Sequence, residues 1–256
     1  NAAIKKAMAL TKEDYDGYHA VWETTLQEQR AGLELLETTW KEKITSLPKS
    51  QKRQPGNSSD GAPGKPVKFV GKKWVIKQDP TLSSLFDVAD LVNPSLQDKC
   101  QQWSETLPCC ASEHKGVHSK FHPGPVKTTK RALVKLFRSY DEDVGRLCDL
   151  CRCSLVFEDV ASLVEGLKGI CEDEEVEVQS CSPLKQRFAI GYDDTLSAGY
   201  RDVQLSIKLK SKENLANGAE CANHLCEVQL HLKSFYERKG QGGHKHYKIA
   251  RNLRGN

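Results

Sequence analysis

Apolar positions recur along residues 2–46 at intervals of three, four and seven. Trp22, Leu26, Leu33, Leu36, Trp40 and Ile44 make one stripe, carried by one or two helices. A stripe of this kind needs an apolar partner, and Pro48 ends it. A Gly/Pro/Ser-rich stretch over about 49–67 reads as a linker, and a strand-like piece, KFVGKKWVIK, follows. From Pro80 onward helices alternate with strands. The pattern predicts helix in two pieces over 81–107 around Pro94, then a His/Gly/Pro-rich loop over 108–125. A helix over about 128–140 comes next, with Leu133, Leu136, Phe137 and Tyr140 turned inward. Strand 151–157 leads into helix 159–170, which Asp159 caps and in which Val160, Leu163, Val164, Leu167 and Ile170 keep the helical period. Short strands at about 175–180 and 185–190, long strands at 200–210 and 225–233, and a helix at 233–239 complete the series. The expected fold class is α/β (α+β), a mixed β-sheet flanked by helices. Residues 1–48 form a helical extension, 49–79 a basic linker with a short strand, and 80–256 the main domain.

The two long strands carry the candidate chemistry. In RDVQLSIKL, Val203, Leu205, Ile207 and Leu209 share one face, and Tyr200, Asp202, Gln204, Ser206 and Lys208 share the other. In LCEVQLHL, Cys226, Val228, Leu230 and Leu232 lie opposite Glu227, Gln229 and His231. A plain solvated sheet face also alternates in this way. Gln and His flanking a single Glu depart from the usual Lys/Glu/Thr mix, however, and Asp149 stands just before strand 151–157. If these strands are neighbours, Asp149 and Glu227 bring two carboxylates near one point. Such a pair suits Mg²⁺, which neutralises the oxygens of a nucleotide polyphosphate. Lys127, Lys130, Arg131, Lys135 and Arg138 crowd one short stretch. They form either a solvated helix face or a clamp on a transferred phosphoryl or pyrophosphoryl group.

Composition narrows the class. The chain has 256 residues, 38% apolar and 28% charged, which places it among globular proteins. No apolar run reaches the length of a membrane span, and the first residues lack a signal peptide's apolar stretch, so a soluble, intracellular protein is expected, cytoplasmic or organellar. The net charge of +4 is unevenly spread. Residues 1–48 carry 6 basic and 8 acidic side chains, 49–79 carry 8 and 2, and 80–256 carry 24 and 24. The basic excess lies in the linker, where few aromatics are interleaved, so a solvated tether is expected before an RNA grip. Ten cysteines in a chain of this length read as reduced residues. Cys148, Cys151 and Cys153 approach a zinc half-site, with Cys109, Cys110, His114 and His118 as a conceivable other half. The alternation of Cys151 and Cys153 with Arg152 and Ser154 points them into a core instead.

Four segments, in order, resemble the motifs of the RelA/SpoT-type nucleotidyltransferases that make (p)ppGpp. They are DLCRCSLVF (149–157), GYRDVQLSI (199–207), CEVQLHLKSF (226–235) and GHKHYK (243–248). KTTKRALVK (127–135) is similar to that family's upstream basic segment. The resemblance spans about residues 120–250, and the ordered set is more specific than any one motif. It implies in-line attack of a ribose 3′ hydroxyl of GDP or GTP on the β-phosphorus of ATP, with release of AMP. By position it implies Asp149 as the Mg²⁺ ligand, Glu227 as the catalytic glutamate that also faces the metal, and Gln229 beside it. Tyr200 is implied as the ring that stacks on the acceptor guanine. Lys127, Lys130, Arg131 and Lys135 would hold ATP, with Gln204, His231, His244 and Tyr247 as further nucleotide-binding members. Ser154, Gln204 and His231 depart from the family's Arg, His and Arg, which implies weaker or altered substrate binding. The alternatives are a catalytically degenerate nucleotide-binding or protein-interaction module, its N-terminal helices docking a protein partner, and transfer to another acceptor such as tRNA.

Overall fold

The computed structural model describes residues 2–48, 53–54, 66–70, 73–76, 81–114, 117–182, 185–210 and 223–239. Helix α1 (Ala2–Glu28) and helix α2 (Arg30–Trp40), extended by a π-helical turn over Lys41–Thr45, precede a hairpin of β1 (Pro66–Val70) and β2 (Lys73–Ile76). Helix α3 (Leu82–Thr106) leads to β3 (Ser112–His114), β4 (Val117–Ser119), β5 (Phe121–Pro123) and helix α4 (Thr129–Ser139). Then come β6 (Arg152–Phe157), helix α5 (Val160–Glu172), β7 (Val176–Val178), β8 (Val203–Leu209), β9 (Cys226–Leu232) and helix α6 (Lys233–Arg238).

The central sheet runs β5-β6-β9-β8-β7. Only β6 and β9 are parallel, so the sheet is mixed and its helices cover it, as the alternating pattern predicts. Register fixes the polar face. Arg152 pairs with Glu227 and Glu227 with Ser206, while Ser154 pairs with Gln229 and Gln229 with Gln204. The opposite face, with Cys153, Leu155, Val203, Leu205, Ile207, Cys226, Val228 and Leu230, joins one core with α3 and α5.

The stripe on the first helices is covered from within. Tyr18, Trp22, Leu33, Leu36, Trp40 and Ile44 belong to the same core as the sheet, and α2 packs on α5. The stripe is therefore covered by the chain's own sheet and helices. Gly199 shows how closely α1 approaches: at φ +80° it favours glycine, and a Cβ there would stand 2.9 Å from that of Tyr18.

Residues 81–107 form one helix, not two pieces. Thr81 caps it by accepting from the Ser84 amide, and Leu85, Val88, Ala89, Val92, Leu96, Cys100 and Trp103 are buried along it. Burying a large apolar side chain stabilises by about 1.5–3 kcal/mol, so this face outweighs the roughly 3 kcal/mol cost of interior Pro94. Residues 185–190 do not form a strand beyond one bridge, Gln186 to Val203. The Arg201 guanidinium takes the carbonyls of Arg187 (2.7 Å) and Ala189 (3.2 Å), leaving no ladder to build. The loop at 108–125 contains three short strands, one of which edges the sheet. Cys100 and Cys153 are not reduced: they form a disulfide between α3 and β6, across which their Cα atoms lie 6.8 Å apart. Nor is the basic linker a free tether at its start. Arg53 makes a bidentate pair with Asp143 (2.5 and 2.7 Å). Buried Gln54 bonds both backbone groups of Leu225 and the carbonyl of Leu147.

Candidate functional site

At the N-terminal ends of β6 and β9, charge gathers on the polar face. Asp149, on the turn entering β6, is buried, and its Oδ2 accepts from Lys127 Nζ and from Lys135 Nζ at 2.7 Å. Its Oδ1 is buried with no hydrogen-bond partner. Burial alone would raise this carboxyl, but Lys135 and Lys127 overcome that and hold it down at about 2. Burial lowers Lys127 to about 8, with Asp149 opposing and Lys135 assisting. Lys135 is raised, because Asp149 and Tyr140 outweigh its burial. A buried aspartate shared by two lysines thus stays charged.

Glu227 stands on the neighbouring strand. Its Oε1 accepts from Gln229 Nε2 at 2.7 Å, and its Oε2 lies 3.9 Å from Lys185 Nζ. Between the two carboxylates stands Arg152, register partner of Glu227. Burial and then Arg131 lower the Arg152 guanidinium, while Asp149 and Glu227 raise it. Asp149 and Glu227 are therefore brought to one end of the sheet, with an arginine between them.

The other predicted members divide. Lys127 and Lys135 meet Asp149, and Arg131 lies within electrostatic reach of Arg152. Lys130 is exposed and, from the helical period, on the side of α4 away from Lys135. The inward face of α4 is Ala132 and Leu136, not Leu133 and Phe137, because the helix is turned to aim Lys135 at Asp149. Gln204 accepts from Lys185 and donates to Asp202 Oδ2 at 3.2 Å. His231 is fully buried between Tyr200 Oη (2.9 Å) and Ser154 Oγ (3.3 Å). Tyr200, expected to offer an open ring for stacking, is 5% exposed. The edge of Tyr18 covers it at 5.7 Å between ring centres, and Lys239 Nζ sits 5.2 Å from its ring. His244 and Tyr247 lie outside the described residues.

Sequence reasoning missed Arg152 and Lys185. The alternation of β6 already puts Arg152 on the face of Ser154, two positions earlier, so its signal was present. Lys185 reaches Glu227 across a loop and left no periodic trace. Among the described residues, no three acidic, histidine or cysteine side chains converge as a ready-made metal cage. One unpaired carboxylate oxygen, Asp149 Oδ1, does suit Mg²⁺, which binds through one or two carboxylates and completes its shell with water and phosphate. No helix among the described residues is long and apolar enough to cross a membrane.

No protein-family model matches this chain, and no curated protein matches it. Solved structures do. Small alarmone synthetase 2 from Bacillus subtilis is 15% identical, with 68% of this chain and 80% of that one covered and a TM-score of 0.39. Small alarmone synthetase 1 from the same organism is 12% identical over 67% of this chain and 93% of that one, TM-score 0.41. A GTP pyrophosphokinase family protein from Streptococcus pneumoniae is 14% identical over 67% and 86%, TM-score 0.39. Identities this low transfer no residue's role.

Proposed function

We propose that this chain transfers pyrophosphate from ATP to a ribose hydroxyl of a guanine nucleotide, with Mg²⁺ as cofactor. The observation that carries this reading is the row Asp149, Arg152, Glu227 at one end of the sheet, attended by Lys127, Lys135 and Lys185. Cations fixed in a partly dry site favour a polyphosphate and the charge that develops as its bond breaks. Lys127, Lys135 and Arg152 would neutralise the phosphates of ATP, and Lys130 and Arg131 would extend that grip outward. Glu227, oriented by Gln229 and Lys185, would take the proton of the acceptor hydroxyl. The ribose oxygen then attacks the β-phosphorus, the bond from the β-phosphorus to the α–β bridging oxygen breaks, and AMP leaves. Asp149, through Oδ1, would hold Mg²⁺, which when bound would supply Lewis-acid neutralisation of phosphate oxygens. The departures at Ser154 and Gln204 are offset in kind, since Arg152 shares the face of Ser154 and Lys185 touches Gln204.

A second reading, a nucleotide-binding or protein-binding module without turnover, is favoured by the covered ring of Tyr200. Stacking a base there requires Tyr18 or Lys239 to move. One experiment separates the two. The chain is incubated with labelled ATP, Mg²⁺ and a panel of GDP, GTP, ADP and tRNA, with Glu227→Ala alongside. Label passing to an acceptor, and falling at least about 100-fold in the variant, supports the transferase and identifies the acceptor. Nucleotide binding without transfer by the unaltered chain supports the module.

A further inference from the structure

Helix α4 leaves an apolar strip bare. Leu133, Val134 and Phe137 are 37%, 46% and 62% exposed, while Ala132 and Leu136 on the opposite side are buried. At 3.6 residues per turn, Lys130, Leu133, Val134 and Phe137 share one side, so the strip begins under Lys130, with Arg131 and Arg138 along one edge. Beyond the other end the chain turns sharply. Asp141 and Glu142 both take left-handed backbone conformations, φ 50° and 63°, which non-glycine residues seldom adopt. The turn is held firmly, the Glu142 amide donating to the Leu136 carbonyl at 3.3 Å and the Asp143 amide to that of Tyr140 at 2.9 Å. The Asp143 carboxylate is gripped by Arg53. Both Asp141 and Glu142 are exposed.

The surface is thus basic at the start of the helix, apolar in its middle and acidic just past its end. Lys130 to Asp141 would span roughly 16 Å at 1.5 Å per residue, with the apolar strip near the midpoint. Such a surface complements itself. We propose that two copies of this chain pair through α4, antiparallel about a two-fold axis at the level of Lys135. Phe137 of each copy lies on Leu133 and Val134 of the other, and Lys130 and Arg131 of each face Asp141 and Glu142 of the other. A two-fold interface uses one patch twice, so each basic-to-acidic pairing occurs at both ends. Parallel pairing would instead set like charges together, and a foreign acidic segment would leave Asp141 and Glu142 unanswered. The strip is one helix wide, so each copy buries less than the roughly 800 Å² of a standard interface. The dimer is accordingly weak and reversible, forming at roughly micromolar concentrations and above. The pairing shares Lys130 and Arg131 with the proposed grip on ATP, but self-association is read without nucleotide and so stands or falls apart from the reaction.

Sedimentation velocity of the full chain over about 1–500 µM tests it. The expected result is a monomer–dimer equilibrium that Phe137→Asp weakens at least about tenfold, with an unchanged circular dichroism spectrum because Phe137 is mostly exposed. A charge swap fixes the register. A chain carrying Asp141→Lys and Glu142→Lys, and another carrying Lys130→Glu and Arg131→Glu, should each stay monomeric yet form a one-to-one heterodimer when mixed. The inference is overturned if the unaltered chain stays monomeric throughout, if its dimer is indifferent to Phe137→Asp, or if the swapped chains do not pair. Binding to anionic vesicles with no self-association would likewise overturn it and assign the strip to a lipid surface.

Discussion

Asp149 and Asp202 are both buried aspartates on the polar side of one sheet, yet their surroundings differ in kind. Asp202 has both oxygens engaged: Oδ1 by Arg187, and Oδ2 by the Tyr200 hydroxyl (3.1 Å) and Gln204 Nε2 (3.2 Å). Around it Arg201 bonds Asp194 at 3.0 Å and lies 3.7 Å from the ring of Trp22, which fastens α1 to the loop before β8. Asp149 has two lysines on one oxygen and no hydrogen-bond partner on the other. In the first region both carboxylate oxygens are committed to partners within the fold, and satisfied buried hydrogen bonds specify a unique packing. The second leaves one buried carboxylate oxygen unpartnered, which is what the metal site proposed there would require.

The largest effect is expected where a charge is left without its partner. Asp149→Ala strands two lysines, one of them deeply buried, and should cost about 3–5 kcal/mol in urea unfolding. A loss below about 1 kcal/mol would show that solvent reaches this end of the sheet as freely as an open surface. Arg201→Met removes an ion pair and a ring contact together, with an expected loss of about 3 kcal/mol and a shift in tryptophan emission. An unchanged emission spectrum would mean that α1 is not held there. Tyr200→Phe deletes only the hydroxyl that joins His231 to Asp202 and should cost about 1 kcal/mol. The mildest perturbation is acid. Because the folded state holds the Asp149 carboxyl near 2 against an ordinary value of 3.8, its contribution is fully present above pH 4 and is lost as pH falls towards 2. The slope of stability against pH in that window should therefore be shallower in Asp149→Ala, and equal slopes would contradict the two-lysine clamp.

Much of this arrangement is legible in the sequence. The period of two in β8 and β9 identified their polar faces, and the helical period of α5 with Asp159 at its cap predicted that element closely, the Asp159 side chain accepting from the Ser162 amide at 2.7 Å. Periodicity failed where long-range pairing decides. Nothing local tells that Arg201 will take two loop carbonyls and prevent a strand at 185–190, or that Lys185 will reach Glu227. The facing of α4 was misread because hydrophobicity alone turned Phe137 inward, whereas the buried Lys135–Asp149 pair sets the rotation of that helix. At Tyr200 the motif predicted an open ring, and only tertiary packing reveals Tyr18 against it.

Arg53 and Gln54 occupy two positions in a stretch whose composition suggests no structure, yet they pin it to both sides of the sheet's entry. Gln54 bonds the backbone at 145, 147 and 225 at once. Were the backbone severed a few residues later, the amino-terminal piece would still be gripped at this clasp and through the buried faces of α1 and α2. The two fragments are expected to stay together as a non-covalent pair, held by these contacts alone.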